Sequence, residues 1–117
     1  MIPERAGELG RLIGQSEEFQ AWKRANEGLK DEPALRGRLE QLRNIEITLA
    51  EQLDRGEALT PQQKAELDGI QAEVQAHPAF QRLVVAQSNY DKLMLRVQQY
   101  IAEGITKGAD SRIITLG

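Results

Sequence analysis

Apolar residues along this chain recur at the three- and four-residue spacing of a helix, and no strand-like alternation appears before residue 105. The clearest stripe follows Pro33. Leu35, Leu39, Leu42, Leu49 and Leu53 fall on one face, with Glu46 at the position that would complete the heptad. Ile45 lies at one flank and Ile47 points to the opposite side. A narrower stripe follows, made of Leu67, Ile70 and Val74, and the two segments pair naturally as an antiparallel hairpin. Upstream, Phe19, Trp22, Ala25 and Leu29 form a compact aromatic anchor. The last periodic segment carries Phe80, Leu83, Tyr90, Met94, Val97 and Ile101 as a core stripe, widened by Val84, Leu93, Leu95 and Tyr100. A helix apolar over that much of its circumference is buried on more than one side, as a central helix or as an oligomer interface.

Start and stop signals divide these stripes into five segments, near 4–14, 17–30, 33–55, 61–76 and 79–104. Ser16 precedes Glu17 and Glu18, an N-cap followed by two acids in the first turn. Asp31-Glu32-Pro33 closes one helix and opens another. Arg55-Gly56 supplies a basic last turn and a left-handed stop. Thr60-Pro61-Gln62-Gln63 has a capping residue, a proline at the first helical position and a glutamine three residues after the cap. His77-Pro78 ends the fourth helix and starts the last. The predicted fold is all-α: an elongated antiparallel bundle of about five helices, including a long helical hairpin. Short connections favour antiparallel neighbours. Residues 1–105 read as a single helical domain. Residues 106–117 read as a C-terminal tail, where Arg112-Ile113-Ile114-Thr115-Leu116 is either a short extended segment or disordered.

Composition narrows the function classes. The 117 residues suit one domain, and a net charge of −3 is a poor basis for binding a phosphate backbone. Direct nucleic-acid binding is therefore not expected, although Lys23, Arg24 and Lys30 on one helix and Arg36, Arg38 and Arg43 on the next could make a local basic face. No apolar run is long enough to cross a membrane, and no secretory leader is visible. Cysteine is absent, so the chain forms no disulfide and no thiolate metal site. With a single histidine, His77, and no Glu-x-x-His pair, no metal or other cofactor is expected. His77 has no evident catalytic partner and is read as a helix-terminal residue. Gly7, Gly10 and Gly14 are not a phosphate loop. Either Gly10 and Gly14 admit a close helix neighbour, or this terminus is weakly helical. Gln87, Asp91 and Gln98 form a polar row within the broad apolar surface, and Glu46 interrupts the leucine stripe in a similar way. Such residues either fix register and partner choice or lie at a solvated seam edge.

The order of several segments is similar to the YlbF/YmcA family of small helical bacterial regulators. Leu9-Gly10-Arg11-Leu12-Ile13-Gly14-Gln15-Ser16-Glu17-Glu18-Phe19 matches that family's leading segment. Asp31-Glu32-Pro33 and His77-Pro78 match its two helix breaks. Ala86-Gln87, the region from Asn89 to Leu93, and Val97 through Ile101-Ala102 resemble its closing segment. The resemblance spans about residues 4–105. It implies a non-enzymatic cytoplasmic regulator or adaptor that acts in complexes with related family members or other regulatory proteins. It also implies a link to ribonuclease Y-dependent RNA processing and to competence, sporulation and biofilm formation. The iron–sulfur clusters of some such complexes do not carry over to a chain without cysteine.

The residues nominated for partner contact or self-association are Phe80, Leu83, Gln87, Tyr90, Asp91, Leu93, Met94, Val97, Tyr100 and Ile101 on the last helix, with Ile47 on the long helix. Homo-oligomerisation, as a dimer or higher, is the expected use of the wide apolar arc. The alternative functions are a structural or chaperone-like helical oligomer without a regulatory role, and a small helical enzyme dependent on His77 or Asp91.

Overall fold

The computed structural model describes residues 1–116, with side chains described through Ser111. Five α-helices follow one another: α1 (Ile2–Gln15), α2 (Glu17–Gly28), α3 (Pro33–Asp54), α4 (Pro61–Ala76) and α5 (Pro78–Leu116). A single 3-10 turn, Leu29–Asp31, bridges α2 and α3, and no strand occurs among the described residues. The fold is the predicted all-α, elongated one. Its extents are 69 × 39 × 20 Å and its radius of gyration is 21.5 Å, against about 13 Å for a compact chain of this length.

The helices pack as two antiparallel pairs. In the first, α3 and α4 form the predicted hairpin, tied across by the Arg38–Glu73 ion pair at 2.8 Å. In the second, α2 lies along the first half of α5; Glu18 meets Arg96 and Trp22 meets Gln87, which fixes the antiparallel sense. A small core joins the pairs. Leu35, Ile70, Val74 and Ala79 are buried there, and Leu29, Leu39, Leu42, Ile45 and Phe80 pack around them. Each of α3, α4 and α5 thus contributes to one apolar joint.

Along α3 the inward face departs from the predicted heptad. Ile45 and Gln52 turn inward, whereas Glu46 is exposed and Leu53 is largely so. The reason is physical: a helix repeats every 3.6 residues, so after Leu42 the face drifts, and Ile45 can be covered where a carboxylate would lose its water. Ile47 points to solvent, as its position implied.

Gln52 is buried for a different reason. Its amide donates to the Ala58 carbonyl (3.0 Å) and to Gln63 Oε1 (3.1 Å), and its own carbonyl oxygen accepts from Gln63 Nε2 at 2.8 Å. Gln63 also completes the capping box, accepting the Thr60 N–H at 2.9 Å while its own N–H donates to Thr60 Oγ1 at 3.1 Å. The other side of the turn is a Schellman stop, with Gly56 N–H on Leu53 and Glu57 N–H on Gln52, and Gly56 at φ +78°. Gln63→Ala should therefore cost about 1–3 kcal/mol, because it removes the side-chain half of the capping box and strips Gln52, only 8% exposed, of one partner. Urea unfolding followed by circular dichroism measures the loss. A change under a few tenths of a kcal/mol would mean that the two glutamines are independently solvated.

The end of α5 is also corrected. The sequence places it near residue 104, yet the helix runs 39 residues to Leu116. Gly104 and Gly108 each weaken a helix by about 1 kcal/mol but do not stop it, and no proline intervenes. Residues 107–116 are therefore helical and not extended. Gly117 lies outside the described residues.

Candidate interaction surface

The seam between α2 and α5 begins with a cap. The Ser16 hydroxyl accepts the Phe19 N–H at 3.1 Å and donates to the Ile13 carbonyl at 2.6 Å, so one residue ends α1 and starts α2. Gln20 Nε2 donates to the Gly14 carbonyl at 2.8 Å and sets the bend between them. This places Phe19 and Trp22 on the face of α2 that meets Tyr90. Ring centroids are 5.8 Å apart for Phe19–Trp22 and for Phe19–Tyr90, and 5.9 Å for the stacked Trp22–Tyr90 pair. The Trp22 indole N–H donates to Gln87 Oε1 at 2.6 Å, and Gln87 Nε2 donates to Asp91 Oδ1 at 2.9 Å. Arg96 closes the seam on Glu18 at 3.3 Å.

These contacts sort the nominated residues. Phe80 is packed on the joint between the helix pairs, and Tyr90 and Gln87 are engaged by α2. Leu83, Leu93, Met94 and Val97 are half-buried, Asp91 is exposed, Tyr100 is largely open, and Ile101 and, on α3, Ile47 are about half-exposed. The hydrophobic pattern leaves out Ala79 and Ala86, both buried, because small side chains carry little weight in it. Here smallness is the point, since it lets neighbouring helices approach. Ile105, 67% exposed, was passed over because the helix was expected to end beside it.

The geometry leaves apolar faces uncovered, the longest of them along α5. The twelve residues of α2 span about 18 Å, whereas α5 is about 58 Å long at roughly 1.5 Å per residue. Met94 and Val97 are half-covered at the end of that overlap. Val97, Ile101 and Ile105 then continue at four-residue spacing, and Ile101 is 47% exposed. The helix α1 is similarly open: Leu9 and Ile13 are half-buried, but Ile2 and Leu12 face solvent. Among the described residues nothing lies within 4 Å of where a Cβ would stand at Gly10 or Gly14, so no helix described packs closely on them.

His77 has a structural task at the joint. Its Nδ1 accepts the Ala79 N–H at 3.1 Å, capping the start of α5, and its Nε2 faces Glu32 at 3.5 Å. The sequence reading had placed its role at the end of α4; the side chain serves the next helix as well. Among the described residues no three His, Asp or Glu side chains group as a metal site, and no helix is long and apolar enough to cross a membrane. What the surface offers is helix faces and open grooves between helices.

The structure is that of an elongated all-helical protein with exposed apolar residues on its helix faces. The chain belongs to the YlbF/YmcA family, described as control of the competence regulator ComK, whose pattern matches residues 2–106. Among solved structures it is similar to a protein of unknown function (DUF964) from Bacillus stearothermophilus. The identity is 25%, the TM-score is 0.66, and the match covers 90% of this chain and 92% of the other. No functionally curated protein matches the chain.

Proposed function

We propose that this chain is a non-enzymatic regulatory adaptor that works by protein–protein contact and associates with a second copy of itself through α5. The observation that carries the reading is the apolar stripe through Met94, Val97, Ile101 and Ile105, which passes from half-buried at Met94 and Val97 to exposed at Ile101 and Ile105. A solvent-facing stripe of this length is a liability unless another helix lies on it. The remaining nominated residues divide accordingly: Phe80, Leu83, Gln87, Tyr90 and Leu93 shape the platform, while Tyr100, Ile101 and Asp91 are available to a partner. Family membership supports a regulatory role. The link to ribonuclease Y-dependent RNA processing and cell-fate control, and a cytoplasmic location, rest on the resemblance in the sequence.

In this reading any effect on RNA passes through a partner protein. The isolated chain should not bind RNA below micromolar concentration at about physiological salt, because its charge balance is acidic. Affinity capture with the full chain from its host tests the rest. A discrete stoichiometric complex containing family members or an RNA-processing enzyme supports the adaptor. Broad recovery of unfolded clients would instead make it a chaperone-like helical oligomer. Sub-micromolar RNA binding, or saturable turnover abolished by changing His77 or Asp91, would overturn the proposal.

A further inference from the structure

A second surface lies beside the seam and is independent of the distal stripe. Between α2 and α5 runs an open groove of about 590 Å³, lined by Ala21, Arg24 and Ala25 from one helix and by Arg82, Val85 and Ala86 from the other. Its floor is small and apolar. Ala21 and Ala25 stand one turn apart on α2, Ala86 is buried, and Val85 is 60% exposed along the wall. Two antiparallel helices with small residues between them leave a furrow into which a third helix can settle, since no long side chain holds it off.

The rim gives the furrow a sign. Arg24 and Arg82 both line it, both are exposed, and neither forms an ion pair with a carboxylate among the described residues. Arg38, Arg55 and Arg96 do form such pairs. In a chain with net charge −3, two unpaired guanidinium groups flanking one apolar groove are a local reversal of the overall charge. Gln81 and Asn89 add amides on the same rim.

We infer that this groove is a docking site for an amphipathic, acidic helix of a partner protein. An apolar ridge of that helix would lie over Ala21, Ala25 and Val85, with carboxylates on Arg24 and Arg82. Guanidinium–carboxylate pairs give directional, charge-assisted hydrogen bonds, and a groove of this kind reads a helix by its apolar anchors. Nucleic acid suits the site less well, because the floor is aliphatic and holds no aromatic ring on which a base could stack.

The test uses the full chain and two labelled helical peptides of about three heptads, sharing one Leu/Ala stripe. One carries Glu at the flanking positions and the other carries Lys. Fluorescence anisotropy at low salt should show the Glu peptide binding at least roughly tenfold tighter than the Lys peptide. The Arg24→Glu, Arg82→Glu double variant should reverse that order, and the Arg24→Ala, Arg82→Ala variant should abolish the preference. Both substitutions are on exposed positions, and circular dichroism verifies that helicity is kept. Equal binding of the two peptides, or a preference unchanged in both variants, would overturn the inference. So would an oligouridylate that competes through the same arginines and binds tighter than the Glu peptide. None of these outcomes depends on whether the distal stripe of α5 pairs two copies.

Discussion

Ile101→Glu combined with Ile105→Glu should convert a self-associated protein into a monomer while leaving its helical content unchanged. Ile105 is 67% exposed and Ile101 47%, and neither belongs to the buried core, so the substitutions take little from the interior of a single chain. In an assembly through α5 each would place an uncompensated carboxylate against an apolar surface. That costs about 3 kcal/mol or more, a weakening of roughly hundredfold or greater. The apolar arc on the sequence suggested Met94 and Val97 for this purpose. The structure makes them the poorer choice, since both are half-buried near the end of α2 and changing them would disturb the seam as well. Light scattering at micromolar concentration decides the matter. A wild-type protein that is already monomeric, or a double variant of unchanged mass, would show that the distal stripe of α5 serves something other than self-association.

Local chemistry was legible in the sequence where a short segment determines its own conformation. Ser16 caps α2, Thr60 and Gln63 build a complete capping box, and Gly56 takes the left-handed stop. Each depends on residues within a few positions of one another. The hairpin of α3 and α4 was legible for the same reason, since its partners are adjacent and its turn is short. The heptad along α3 was not fully legible. Choosing Ile45 and Gln52 over Glu46 and Leu53 depends on what α4 and the turn place opposite them, and Gln52 is inward because Ala58 and Gln63 satisfy its amide. The end of α5 was misjudged because the apolar stripe thins after Ile105, although the helix continues to Leu116.

The candidate surface was legible in composition but not in assignment. A wide apolar arc on the last helix is visible in the residues; which part faces α2 and which part faces outward is set by where a twelve-residue helix happens to end. Gln87 illustrates the limit. In the sequence it is one polar residue in an apolar row, suited equally to a solvated edge or to specifying a partner. In the fold it accepts from Trp22, 65 positions away, and so specifies the register of α2 on α5. No spacing rule reaches across that distance, because the contact is made by the tertiary fold and not by a helical repeat.

That register is the basis of the second large effect. Trp22→Ala should destabilise the protein by about 2–4 kcal/mol, somewhat below the loss for a fully buried aromatic because the ring is half-buried. Three losses combine: stacking on Tyr90, the contact with Phe19, and the indole hydrogen bond to Gln87. Trp22→Phe separates them. It keeps an aromatic ring over Tyr90 but removes the N–H, so it should cost about 1 kcal/mol, near the net value of one hydrogen bond. The consequence is larger than the number suggests, because a typical domain is stable by only about 5–15 kcal/mol and this one has a small interior. With α2 loosened, the covered half of α5 opens alongside the distal half, and both the groove by Arg24 and the platform under Met94 lose their shape. Urea unfolding monitored at 222 nm gives the stability change, and hydrogen exchange of the α2 amides shows whether the opening is local. A Trp22→Ala variant within about 0.5 kcal/mol of wild type, with α2 amides still protected, would mean that the small-residue contacts around Ala86 hold the seam without the aromatic cluster.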